Sequence, residues 1–296
     1  MKRKVLTLAL LAAGLIGGTS TVLLAQAPVA APKAQVVVPA DVPDPAIQIE
    51  NWARLFRAGN VTALAQALVP PSKWEQARLV YELKRLEPTS AEDRAEFTEK
   101  LGHVLAPDAV DRLMAEIEPE LEKARPQATG ALLMAFGAMQ LAVTSPESRL
   151  SDEQRAVLQA ALPGVQEWAS GTDFLSSDTM RQALTLLTDA ARRTGITDLD
   201  QIKALPLEGV LDRATPLLAA AKQAVRLYGL DLDAVADSLQ VKVLEIDGVQ
   251  ARVRTTVTLF GAPVWHEHEL QLVEGRWYGK DAVIQVTDPD EIAQRD

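Results

Sequence analysis

The spacing of hydrophobic positions divides the chain into a long helix-forming part and a short strand-forming part. From about residue 47 to residue 229, apolar residues recur three and four positions apart, and the runs end near proline or glycine. The clearest sets are Trp52, Leu55 and Phe56 in one run, and Val110, Leu113, Met114, Ile117 and Leu121 in another. Such sets form the buried stripes of amphipathic helices. The pattern therefore predicts a multi-helix body over residues 47–230.

Polar residues with helix-capping spacing precede several of these runs. A Ser or Thr followed three residues later by Glu or Gln can satisfy two exposed backbone donors at a helix start. The pairs with this spacing are Ser72 with Glu75, Thr89 with Glu92, and Ser151 with Gln154. Thr215 directly before Pro216 is a further predicted start, because proline is favoured in the first helical turn.

One predicted helix differs from the others because it contains no charged residue. No charge occurs between Arg125 and Glu147, and residues 130–143 read GALLMAFGAMQLAV. This run is short for a membrane span and favours a helix buried at the centre of the bundle. Small residues there permit close helix approach: Gly130, Ala131, Ala135 and Gly137. The alternative is an element that leaves the bundle to insert in a membrane or hold a lipid.

The periodicity changes from helical to alternating after Tyr228 and Gly229. β-Branched residues become frequent, and three turn signals divide the tail into four segments. These signals are Asp247-Gly248, Gly261-Ala262-Pro263 and Glu274-Gly275. One face of the second segment is largely apolar and the other is polar, so one face of the sheet must be covered. Residues 231–296 are therefore predicted to form a four-stranded antiparallel β-meander packed on the helices, giving an α+β fold that is predominantly α.

The first residues have the layout of a secretory signal. Lys2, Arg3 and Lys4 precede an apolar run and a stretch of small residues, so residues 1–27 predict export to the periplasm of a Gram-negative-type bacterium. Pro28 follows the candidate cleavage site after Ala27 and hinders cleavage there. The segment is therefore either removed or kept as an inner-membrane anchor, which would be the chain's predicted membrane contact. Residues 28–46 are rich in proline and alanine and predict an extended linker or a frayed terminus.

Composition and motifs exclude several classes of function. The chain of 296 residues has 30 Lys and Arg against 40 Asp and Glu, and no basic run with interleaved aromatic residues, so no nucleic-acid partner is expected. The absence of cysteine excludes disulfides, thiolate metal sites and cysteine nucleophiles. No nucleophile elbow, dinucleotide fingerprint or phosphate loop occurs. The acidic run at Glu116, Glu118, Glu120 and Glu122 favours a solvated helix face over a calcium site.

Two histidines on one predicted strand form the sharpest candidate site. His266 and His268 lie on the same, apolar face, where they could share a zinc or similar divalent ion if His103 or an acid supplied a third ligand. The favoured interpretation is that the pair fills the rim of the sheet, with no cofactor bound. Trp277 and Tyr278 could line a ligand mouth or a partner surface, although packing is the commoner role of aromatic residues in strands.

Residues 49–71 and 239–284 carry patterns found together in one known superfamily. The first reads IENWARLFRAGNVTALAQALVPP, in which a Gly-Asn break separates two predicted helices. The second contains DGVQARVRTTVTLFG, VWHEHELQLV and EGRWYGKD. The two segments resemble the opening helices and the final strands of the cystatin-like, nuclear-transport-factor-two-like superfamily, with residues 72–238 as a helical insertion. The resemblance implies a conical pocket and no particular reaction, because members include enzymes, carriers and interaction modules.

These observations favour a non-enzymatic module of the cell envelope that binds a protein or a small apolar ligand. One alternative is a metal-dependent or acid–base enzyme that uses His266 and His268. A further alternative is a carrier of hydrophobic ligands, which needs an internal cavity. Its candidate lining is Met134, Phe136, Met139, Val257 and Leu259.

Overall fold

A helical body precedes a four-stranded antiparallel sheet, as the alternation of patterns predicts. The computed structural model describes residues 42–145 and 150–280. Its helices are α1 (Pro45–Ala58), α2 (Val61–Leu68), α3 (Pro71–Leu86), α4 (Ala91–Leu105), α5 (Ala109–Thr144), α6 (Asp152–Gly171), α7 (Ser177–Arg193), α8 (Leu199–Ala204), α9 (Leu207–Arg226) and α10 (Leu232–Asp237). Its strands are β1 (Gln240–Asp247), β2 (Gln250–Leu259), β3 (Ala262–Val273) and β4 (Arg276–Gly279). The α+β, mainly α, fold class is confirmed.

Some sequence predictions fall on parts of the chain that the structure does not describe. The signal segment 1–27, most of the linker 28–46 and the tail 281–296 lie outside the described residues. The sheet begins later than predicted, because the short helix α10 lies between Gly229 and β1. The side chain of Asp231 accepts hydrogen bonds from the backbone of Asp233 and Ala234, which caps this helix.

Local capping signals locate one of the four predicted helix starts. Ser151 and Gln154 form a full capping box at the start of α6, as predicted. The α4 cap is Ser90 rather than Thr89, since the Ser90 hydroxyl accepts from the Asp93 backbone. The Ser72 prediction is wrong because α3 begins with Pro71 at its first position, where a missing N–H costs nothing. The Pro216 prediction is wrong because α9 runs through this proline while it packs against α7.

The sheet has the strand order β1-β2-β3-β4, which is a simple meander. Its apolar face packs against α1, so the predicted cover is a helix from the start of the body. The core cluster combines Ile49 of α1 with Ala251, Val253, Leu270 and Trp277 of the strands. The indole nitrogen of Trp277 donates to the carbonyl of Pro43 at 2.6 Å, which ties the entry to α1 to β4.

The opposite face of the sheet carries a ladder of charges. Arg254 donates to Glu267 at 2.7 Å on the neighbouring strand, and its guanidinium lies 4.0 Å from the ring centre of Trp265. Arg252 lies between Glu245 and Glu267, at 3.2 and 3.4 Å. This polar face is the one that the alternating pattern predicts to face solvent.

A second joint connects α6 to the turn between β2 and β3. Trp168 stacks on Phe260 with ring centres 4.5 Å apart, and its indole nitrogen donates to the carbonyl of Tyr228 at 2.5 Å. Gly164 lies against the backbone of Phe260 so closely that a Cβ atom there would overlap the Phe260 carbonyl oxygen. The helix therefore needs glycine at this position to reach the turn.

Candidate functional site

The histidine pair lies where the alternation predicts, on the apolar face of β3. The rings of His266 and His268 are 4.7 Å apart, and Nε2 of His268 is 2.9 Å from the hydroxyl of Thr255 on β2. Both residues are exposed. Partial burial of the His268 ring against its neighbours, together with the nearby His266, lowers the pKa of His268. The pair thus makes a local polar contact at the uncovered part of this face.

The third predicted metal ligand lies elsewhere. His103 is near the end of α4, where its Nδ1 is 3.3 Å from a guanidinium nitrogen of Arg112. Residues 42–145 and 150–280 contain no group of three or more His, Asp or Glu side chains that could hold a metal ion. The alternative that joins His103 to the strand pair is therefore not realised in the described part of the chain, because α4 contacts α5, α7 and α8.

Trp277 and Tyr278, which are predicted either to line a ligand mouth or partner surface or to pack, have fully buried side chains. Trp277 belongs to the core under α1. The hydroxyl of Tyr278 has no hydrogen-bond partner among the described residues, and burial raises the pKa of this group, with Arg276 opposing the shift.

The most unusual surface is the uncharged second half of α5, residues 130–143, which we call the apolar arm. Leu133 is 65% exposed, Met134 73% and Leu141 68%. The prediction that this segment is buried on all sides is wrong. The apolar composition of residues 130–143 indicates that the arm packs against an apolar surface. It does not indicate whether that surface belongs to the same chain.

Within the described ranges, one side of the arm is covered and the other is open. Leu132 and Phe136 are half-buried and Val143 is buried, and these positions share one helix face. The following helix, α6, contacts α5, and Arg155 of α6 donates to the carbonyls of Val143 and Ser145 at 2.6 and 2.8 Å. The guanidinium thus satisfies the end of α5 while the opposite face of the arm stays open.

The open face combines large side chains with glycines. Gly130, Met134, Gly137 and Leu141 follow each other at intervals of four, three and four residues, which places them on one stripe. Among the described residues, a Cβ atom added at Gly130 or Gly137 would meet nothing within 4 Å. Residues 42–145 and 150–280 therefore give no packing reason for either glycine.

The predicted carrier cavity is not formed by its proposed lining. Met134 is exposed, and Met139 is 40% exposed, so these side chains do not enclose a space with the strands.

By length and composition, α5 is the helix in the described ranges that could cross a membrane. The mean hydropathy of its most apolar stretch is 1.2, and 6% of that stretch is buried.

Comparison with known proteins adds no assignment. Neither the family models, nor the curated proteins, nor the solved structures that were searched contain a match to this chain.

Proposed function

We propose that this chain is a non-enzymatic interaction module of the bacterial cell envelope, periplasmic or held at the inner membrane, and that the apolar arm is its binding surface. The exposure of Leu133, Met134 and Leu141 on the uncharged half of α5 carries the proposal. Contiguous apolar patches of this kind on soluble domains mark sites of association. The amino-terminal signal pattern supports the location.

The arm is a better candidate than the histidine pair. Catalysis by His266 and His268 would need a substrate pocket or a further ligand, and the described residues bring no third metal ligand to them. A protein partner also suits the arm better than a free apolar ligand, because the open face is convex and pockets for small molecules are concave.

Position-specific photo-cross-linking in the intact envelope tests the proposal. A photoreactive amino acid replaces Met134 in one variant and Glu120 in a second, since both residues are exposed on α5. We expect a covalent protein adduct from position 134 and none from position 120.

A third variant combines the photoreactive residue at position 134 with His266→Gln and His268→Gln. It should keep the full adduct yield if the histidines take no part in binding. An absent adduct at position 134, or equal yields at positions 134 and 120, would contradict a binding role for the arm.

A further inference from the structure

We infer that the partner of the apolar arm is a second copy of this chain, packed antiparallel so that the large side chains of one arm fill the glycine positions of the other. The inference rests on the proposed binding role of the arm and names the occupant. Its first support is the order of large and small residues along the open stripe.

An antiparallel twofold axis between positions 135 and 136 brings large residues opposite small ones throughout. It places Met134 opposite Gly137 of the other copy, and Leu141 opposite Gly130. At the ends it joins two polar residues, Gln127 and Thr144. Such an interface is self-complementary and closes at two copies.

The two glycines provide the second support. A glycine inside a helix costs about 1 kcal/mol relative to alanine, because the unfolded chain has more freedom to lose. Gly164 has an evident reason for this cost, since the backbone of Phe260 lies against it. Gly130 and Gly137 have no such neighbour among the described residues. The dimer supplies one, because each glycine then faces a large side chain of the second copy.

The available area fits a reversible dimer. The stretch from Gln127 to Thr144 is about 27 Å long at ~1.5 Å per residue. Half of its surface is on the order of 500 Å² per copy, so two copies bury roughly 1,000 Å², which is near the lower limit for a specific interface.

Charge favours a second protein over a lipid surface. The arm itself carries no charge, so its burial against another arm leaves no ion unpaired. The first half of α5, up to Arg125, carries five acidic residues against three basic ones, and the whole chain has a net charge of −10. An anionic leaflet would repel this balance, whereas the antiparallel pairing brings only the uncharged residues 127–144 into contact.

Single-cysteine oxidation tests the pairing directly, because the natural chain contains no cysteine. In the antiparallel dimer, the two thiols of Met134→Cys are offset by about 4.5 Å along the helix axes, whereas those of Leu141→Cys are offset by about 16 Å. We expect Met134→Cys to form a disulfide dimer and Leu141→Cys to stay monomeric on gels. When the Gly130→Cys and Leu141→Cys variants are mixed, oxidation should join one molecule of each by a disulfide.

Analytical ultracentrifugation of the full exported chain, without cysteine substitutions, measures the affinity. We expect a dimer that dissociates in the micromolar range, and at least a tenfold weaker dimer for Gly130→Leu with Gly137→Leu, which fills both gaps. This variant keeps the arm apolar, so general hydrophobic binding should survive. Glu120→Gln on the same helix is the matched control and should leave the dimer unchanged.

The outcomes separate this inference from the proposed function. A monomer at all concentrations, or a disulfide from Leu141→Cys as strong as that from Met134→Cys, overturns the antiparallel dimer. If a photo-adduct at position 134 persists in that case, the arm binds a different protein and only the inference fails. If the adduct is also absent, both fail.

Discussion

At the scale of single residues, Lys222 joins three helices through one nearly buried ammonium group. Its Nζ donates to the carbonyl of Arg57 at 3.0 Å, to that of Phe56 at 3.3 Å, and to the Asp233 carboxylate at 2.6 Å. The group thus satisfies the end of α1 and pairs with α10 from its position on α9.

Lys222→Met keeps the apolar stem and removes these three bonds. We expect the free energy of unfolding to fall by about 1.5–3 kcal/mol, because the carbonyls and the partly buried Asp233 lose a charged donor. Urea unfolding measures the change. Lys123→Met on exposed α5 is the control and should stay within about 0.5 kcal/mol of the natural chain. Equal losses in both variants would show that the buried bonds contribute nothing.

His268 should make the stability depend on pH. Because the pKa of this histidine is lowered in the folded chain, the unfolded chain binds a proton first as the pH falls below about 6.5. The contribution of the neutral ring is therefore complete above that pH and is lost as the pH falls through the folded-state pKa.

The melting temperature between pH 7.5 and 5 tests this expectation. The melting temperature of His268→Gln should fall less steeply on acidification than that of the natural chain. An unchanged slope in His268→Gln would refute a role for this ring in the pH dependence.

At the scale of elements, two helical glycines should respond to alanine in opposite directions. In Gly164→Ala the new methyl group collides with the Phe260 backbone, so α6 must move, and we expect a loss of about 1–3 kcal/mol. In Gly102→Ala on α4 the methyl group meets nothing, and the stiffer unfolded chain should give a gain of about 0.4–1 kcal/mol. Denaturant midpoints measure both. Stabilisation of both variants would mean that α6 does not rest on the turn.

The sequence pattern predicts the existence and type of the elements better than their ends. Alternation along β2 is sufficient to place Ala251 and Val253 on the covered face, because the side-chain period of a strand is two. A cap at Ser90 rather than Thr89 differs by one residue, and both carry a suitable hydroxyl. Packing against α7 decided the course of α9 through Pro216, and no local signal contains that contact.

At the scale of the whole molecule, the sequence does not indicate what lies around each apolar surface. The run 130–143 has the composition of a core helix, and the structure is needed to show that Leu133, Met134 and Leu141 are exposed. Likewise, the spacing of His266 and His268 indicates a shared face but not the position of His103. The resemblance to the cystatin-like superfamily stays a prediction, since no comparison tests it.

The hydrogen bond between Trp277 and Pro43 has a mechanical consequence. Pro43 lies directly before α1, so tension applied from the amino-terminal side reaches the described chain at α1 and is passed at once to β4 and the core beneath it. The arm lies outside this path. Such a pull would therefore load the sheet and leave the apolar arm unstrained.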